Sequence, residues 1–248
     1  IDARQTDLHE RMMNKGKLYM LPVPIGDTPV RDVLPETNLR VIGSLEYFIV
    51  ENVRSARRFL SRAGIDRPID TLRFAELNEH TPPAEVEALL VPVLEGCDAG
   101  VISEAGVPGV ADPGADVVAL AHRHGIEVIP LVGPSSILLA VMASGLNGQS
   151  FAFNGYLPVK PPERAKALRA FEKRALGEGQ SQLFIEAPYR NAKLLEEMLT
   201  VLSPHTRLTV AVDLTSPSEF VLTLPVAQWR SRPRPDLNKR PAIFIIGR

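Results

Sequence analysis

The 248-residue sequence predicts an α/β fold in two domains: an N-terminal, mainly parallel sheet with helices on both faces, and a smaller C-terminal domain around a mixed sheet. Three observations predict it. From Lys17 to residue 133, short apolar runs alternate with segments of helical period, the pattern of parallel strands joined by right-handed crossovers. Beyond Thr206, three strand-like runs follow with little helix between them, which allows antiparallel pairing. Finally, 22 residues are proline, and most stand at the ends of apolar runs, where they stiffen loops.

Each element has its own signal. "KLYMLPV" (17–23) reads as a buried strand and residues 30–44 as a helix. "EYFIV" (46–50) is a strand, followed by the basic helix "NVRSARRFLSRAG", closed by Gly64. "PPAEVEALLVPVLEG" (82–96) carries Pro and Glu in its first turn and Gly96 at its end, so it reads as one helix. "AGVISEA" is a strand, 114–124 a helix stopped by Gly125, "IEVIPLVG" a strand, and "PSSILLAVMASG" a helix entered through Pro and Ser. The second half continues with the strand "SFAFNGYL" (150–157), a charged helix over 162–176, the strand "QSQLFIEA" and a helix over 189–202. "RLTVAVDL", "EFVLTL" and "PAIFIIG" close the chain as strands. The expected division is a tail (1–16), an N-terminal domain (17–133) and a C-terminal domain (134–248) that opens with a connecting helix (134–147).

The bulk numbers exclude several function classes. A formal net charge of -1 gives no global attraction to nucleic acid or acidic membranes, although a local basic patch remains open. The one cysteine, Cys97, permits neither an internal disulfide nor a Cys-rich metal site, and no metal is expected. No apolar run is long enough to span a membrane and no signal peptide is visible, so the expected location is cytoplasmic, with no membrane partner.

The familiar nucleotide and hydrolase signatures are missing: there is no G-x-G-x-x-G after the first strand, no P-loop, no H-E-x-x-H and no G-x-S-x-G. Instead, three loops rich in Gly and Pro leave strand C-termini: "PVPIGD" (22–27), "SEAGVPGVADPG" (103–114) and "GPSS" (133–136). That edge of an open parallel sheet is where ligands bind. Glycine lets the main chain approach a ligand and proline fixes its path, so such a bed suits a neutral or cationic ligand. Tight structural connections would look the same one loop at a time. Two basic stretches, Arg54, Arg57, Arg58 and Arg62, and Lys160, Arg164, Lys166 and Arg169, read either as solvated helix faces or as banks of a groove for a polyanion.

"LYMLPVPIGD", "ENVRSARRFL", "ISEAGVPGVADPG", "IPLVGPSSILLAVMASGL", "FAFNGYLPVK" and "FIEAPYRNAKLLEEM", in this order, resemble the tetrapyrrole-methylase superfamily. The similarity runs from Lys17 to about Leu214, and is greatest to the bacterial branch that 2′-O-methylates a cytidine ribose in 16S ribosomal RNA. The resemblance implies a two-domain α/β fold, S-adenosylmethionine bound between the domains, a homodimer, and RNA as a substrate. For the cofactor it implies Pro24, Ser103, Gly106, Val107, Pro108, Ser135, Ser136, Ile137, Ala187, Val212 and Ala242. For the acceptor side it implies Glu51, Arg54 and Glu104.

The sequence also departs from that branch. Asn52, Val53 and Ala56 stand where it has Asp, Thr and Thr, Glu104 where it has Asp, and Ala75 and Leu77 where it has histidines. A ribose hydroxyl needs a general base, and Glu51, Glu104 and Asp27 are the candidates. Their structural alternatives are a Glu51–Arg54 pair, a loop cap and a turn; Glu186 and Arg190 likewise read as a surface i, i+4 pair. Two other functions fit the same residues: a methylase of a tetrapyrrole or other small molecule, and a diverged protein that binds cofactor or partner with little catalysis.

Overall fold

A computed structural model describes residues 15–248. Its first sheet contains β1 (Leu18–Leu21), β2 (Tyr47–Val50), β3 (Arg73–Glu76), β4 (Ala99–Ile102) and β5 (Val128–Pro130), all parallel, in the order β3-β2-β4-β1-β5. Side chains alternate across it. Leu18, Met20, Tyr47, Ile49 and Val101 pack on one face against α4 (Pro83–Ala88), α5 (Val91–Leu94) and α6 (Gly114–Arg123). Leu21, Phe48, Val50 and Ile102 pack on the other against α1 (Val30–Val33), α2 (Glu36–Ser44) and α3 (Val53–Ala63). Both faces are covered, which is why these strands read as unbroken apolar runs. Burying a side chain such as Phe48 or Ile49 contributes roughly 1.5–3 kcal/mol each.

Proline decides where the helices break. The single helix expected over 30–44 is two, because Pro35 forces Leu34 into extended backbone, φ -116° and ψ 134°. Pro92 divides 82–96 differently, into α4 and α5: it has no N–H to donate to the turn before it, while Leu89 and Leu90 between the two helices stay in right-handed helical backbone. Helix α3 has the boundaries its sequence announces. Asn52 accepts the Ser55 N–H at 3.0 Å at one end, and Gly64 turns left-handed at the other with φ 69°. β3 lacked a strand signal, being short, exposed at both ends and on the sheet edge.

The chain divides into two compact units between Pro134 and Ser135. The second unit holds β6 (Phe151–Tyr156), β7 (Ser181–Ile185), β8 (Arg207–Val212), β9 (Phe220–Pro225) and β10 (Ala242–Gly247), in the order β6-β7-β10-β8-β9. β6 and β7 are parallel and the other pairs antiparallel, so the sheet is mixed, as predicted. Helices α8 (Pro161–Glu178), α9 (Asn191–Val201) and α10 (Val226–Arg230) form its principal core around Leu168, Phe184, Leu195 and Trp229. The short α10 was not anticipated; its Trp229 is fully buried and donates Nε1–H to the Leu208 carbonyl at 2.8 Å. The connecting helix is α7 (Ser136–Ser144), shorter than 134–147 because Gly145 ends it in left-handed backbone.

Two charge assignments need correcting. Arg164 is 3% exposed and cannot belong to a solvated or RNA-facing bank. Its guanidinium grips the Glu197 carboxylate with Nε and Nη2 and lies 3.8 Å from Glu186. Glu186 is also buried while Arg190 is half-buried, so their 2.7 Å pair is not the exposed surface pair that was expected. The expected tail lies outside the described residues except at its end. There Lys15 donates to the His124 carbonyl and the Gly16 N–H to that of Val93 at 2.8 Å, so these two residues are attached to the first unit.

Candidate active site

Because the first sheet is parallel, the loops after β1, β4 and β5 all emerge from one edge. The connection leaving β1 runs to β2 on one side, and that leaving β4 runs to β5 on the other. A crevice opens where the strand order reverses in this way. Three contacts tie the loops together. The Val23 N–H donates to the Gly106 carbonyl at 2.9 Å. Gly106 has φ 70°, and a Cβ there would lie 3.3 Å from the Pro134 carbonyl oxygen. A Cβ on Gly133 would come within 2.1 Å of the Pro22 ring, so only glycine allows the third loop to close on the first.

Beside these loops lies an open cleft of about 500 Å³. Residues 23–27 form one wall, Ser103 and Glu104 the floor, and Ser55, Arg58 and Arg62 of α3 the opposite wall. Pro24 and Ser103, from the expected cofactor set, line it directly. Gly106, Val107 and Pro108 continue the same loop, with Gly106 and Pro108 buried. The rest of that set belongs to the second unit. Ser135 caps α7 by accepting the Leu138 N–H at 3.3 Å, and Ser136 and Ile137 form the first turn. Val212 and Ala242 are register partners and Ile243 pairs with Ile185, which places Ala187 at the same edge of that sheet. The expected set therefore forms two groups, one on each unit.

The three acceptor-side candidates surround the start of α3. Glu51 follows β2, and its Oε2 accepts the Glu104 N–H at 3.0 Å. Ser55 donates its hydroxyl to Glu104 Oε2 at 3.0 Å, so Glu51, Ser55 and Glu104 form one connected group. Arg54 is exposed and makes no ion pair with Glu51. Asp27 is held by Arg62 at 2.8 Å, which makes it part of the cleft wall and a weak candidate for a base.

One residue near this group escaped the sequence reading. Asp112 Oδ1 accepts the N–H groups of Gly109 at 2.8 Å and Gly114 at 2.7 Å, while its Oδ2 is buried without a hydrogen-bond partner. Asp112, Ser103, Leu77 and Glu51 line a niche of about 10 Å³ behind the cleft. Such a niche is about the size of one water. Burial pushes the Glu51 carboxyl above its usual range; the Glu104 N–H opposes this, and the charges of Asp112, Glu104 and Glu79 reinforce it. Burial also raises the Asp112 carboxyl, against the two glycine N–H groups and the nearby Ser103 hydroxyl. Leu77, 3% exposed, supplies part of the apolar wall at a position where the branch it resembles has histidine. The signal for Asp112 was its place before Pro113-Gly114, since Asp in such a turn bonds the backbone ahead of it.

Among the described residues, no group of three or more His, Cys, Asp or Glu side chains is placed to hold a metal ion, and no helix is long and apolar enough to cross a membrane.

Residues 17–229 match the model of the tetrapyrrole (corrin/porphyrin) methylases. The chain is 30% identical over 233 residues to ribosomal RNA small subunit methyltransferase I of Escherichia coli O157:H7, covering 94% of this chain and 77% of that protein. It is 31% identical to the protein of the same name from Xylella fastidiosa (strain Temecula1), covering 95% and 82%. Among solved structures it is similar to a cobalt precorrin-4 methyltransferase of cobalamin biosynthesis, with a TM-score of 0.59, 16% identity and coverage of 96% and 95%. The uroporphyrin-III C-methyltransferase from Thermus thermophilus, complexed with S-adenosyl homocysteine, gives a TM-score of 0.53 at 18% identity, covering 94% and 97%. At these identities the two structures bear on the fold.

Proposed function

The chain belongs to the tetrapyrrole (corrin/porphyrin) methylase family, and from that premise we propose that it transfers the methyl group of S-adenosylmethionine to a ribose 2′-hydroxyl of small-subunit ribosomal RNA. The acceptor is carried by one observation: a half-buried carboxylate, Glu51, stands at the C-terminal end of β2, with its Oε2 fixed by the Glu104 N–H and linked through Glu104 to Ser55 on the cleft wall. The relatives named for ribosomal RNA supply the substrate class.

The residues of the first unit fit such a donor. A sulfonium compound needs close main-chain approach and no cationic phosphate cradle, and the loops offer Gly106 where a side chain would close the gap to Pro134. Arg62, one of the two arginines lining the cleft, is already paired with Asp27 of the first loop. Pro24, Ser103, Gly106, Val107 and Pro108 would hold the cofactor on this unit. When bound, the cofactor supplies an electrophilic methyl group.

The chain's own groups prepare the acceptor. Glu51 receives the hydroxyl proton as the oxygen becomes a nucleophile, and the burial that raises its pKa makes that uphill transfer less costly than it would be to an exposed glutamate. Glu104 fixes Glu51 through its N–H and is itself oriented by Ser55, while Arg54 stands on the acceptor side. Alignment of the hydroxyl contributes further, since a near-attack geometry removes much of the entropic barrier. The volume of the cleft, about 500 Å³, also suits a small acceptor, which keeps a tetrapyrrole-sized substrate as the second reading. We further propose a cytoplasmic homodimer, with α7 at the contact between copies.

Labelled methyl transfer to 30S subunits from cells lacking their own enzyme for this site tests the proposal. Nuclease digestion should release one labelled 2′-O-methylnucleoside. Cofactor binding with no transfer to the subunits would favour the small-molecule reading.

A further inference from the structure

Helix α3 carries four arginines, and the structure divides them by what they already hold. Arg57 is paired with Asp70 and lies over the Phe74 ring, 5.9 Å from its centroid. Arg62 is paired with Asp27 across the cleft mouth. Arg54 and Arg58 are exposed, and neither makes a hydrogen bond or ion pair with any described residue. They are four residues apart, so they share a face of the helix, and Arg58 lines the cleft. Arg54 precedes Ser55, whose hydroxyl leads through Glu104 to Glu51. Two uncommitted guanidinium groups thus stand beside the proposed acceptor position.

Guanidinium groups bind phosphate through paired N–H donors, and a strand that places a ribose at Glu51 must carry phosphodiesters past this wall. Resting on the RNA reading above, we infer that Arg54 and Arg58 form the phosphodiester grip of the acceptor site. Arg57 and Arg62 serve as structural wall, and buried Arg164 takes no part. The grip is a short ridge, which reconciles RNA binding with a chain of net charge -1. The same chemistry would suit the carboxylate of an amino-acid cofactor, so the test must separate the two anions.

The probe is a fluorescently labelled single-stranded oligoribonucleotide of the small-subunit acceptor region. Its affinity for the full chain is measured by anisotropy over a salt series, with cofactor affinity measured by calorimetry. Each phosphate neutralised on a single strand contributes about -0.7 to the slope of log K against log salt. R54Q/R58Q should therefore flatten the slope by about 1.4 and weaken RNA binding at least tenfold at low salt, with cofactor affinity unchanged. R54K/R58K should restore most of the slope. Arg123 is exposed on α6, away from the cleft, and R123Q should bind RNA within twofold of the parent protein. Salt-dependent binding that the double substitution leaves intact would overturn the grip and spare the RNA reading. Loss of cofactor affinity in its place would assign both arginines to the cofactor and also overturn the grip. No measurable RNA binding by the parent protein would remove the RNA reading itself.

Discussion

At the scale of single residues, the proposed site holds two carboxyl groups whose surroundings disfavour charge. Glu51 and Asp112 both have pKa values raised by burial. An acid with a higher pKa folded than unfolded binds more protons in the native state, so stability declines as pH rises from the unfolded pKa through the folded one. E51Q should accordingly raise the melting temperature at neutral pH, and the gain should disappear on acidification below the usual carboxylate range. The same substitution should lower kcat by about 10²–10⁴-fold, the usual contribution of a positioned base. Asn at 112 can still accept the Gly109 and Gly114 N–H groups, so D112N should fold. By removing one negative charge near Glu51, it should move the acidic limb of the pH–rate profile to lower pH. An unmoved limb would mean that Asp112 only shapes the loop. Glu51 could be proposed from the sequence because a motif surrounds it. The buried, unpartnered oxygen of Asp112 could not, since burial is a tertiary property.

At the scale of elements, local chemistry made α3 legible from cap to cap, through Asn52 and Gly64. It also contained the helix breaks at Pro35 and Pro92, which apolar periodicity had read through. β3 and α10 were hidden for a different reason: both are too short to show a period and owe their existence to neighbours, β2 for the one and the Trp229 pocket for the other. In the three loops, glycine placement shapes the proposed cofactor site. G106A forces a side chain into left-handed backbone at a cost of roughly 1–2 kcal/mol. It should reduce cofactor affinity by calorimetry while the protein stays folded; G106V adds a branched side chain to the same strain and should lose more of both. Buried Arg164 belongs to this scale as well, because it pins α8 to α9. R164M leaves Glu197 without its main partner and should cost about 3–5 kcal/mol in a urea titration. R164K should recover only part, since an ammonium cannot reproduce the two-pronged grip.

For the whole molecule, both sheets and their contrast in strand direction could be read from the order of elements, because alternation and succession of strands obey few topologies. The association of copies has to be argued from surface. Helix α7 has no charged residue along its length. One side packs on the second sheet, where Ala140 and Ser144 are buried and Thr223 Oγ1 donates to the Ser144 carbonyl at 2.7 Å. Leu138 and Met142, one turn apart, remain 57% and 76% exposed. A helix apolar all round is normally buried all round, so its outer side calls for cover. A second copy supplies an identical apolar ridge, and a two-fold arrangement would lay Leu138 of one chain against Met142 of its partner. Sedimentation should give twice the monomer mass at micromolar concentration. M142E would bring two carboxylates together at the contact while leaving the packed side of α7 untouched. It should therefore halve the mass without shifting the circular-dichroism spectrum. A parent protein that sediments as a monomer would refute the dimer; a dimer unaffected by M142E would place the contact on another surface.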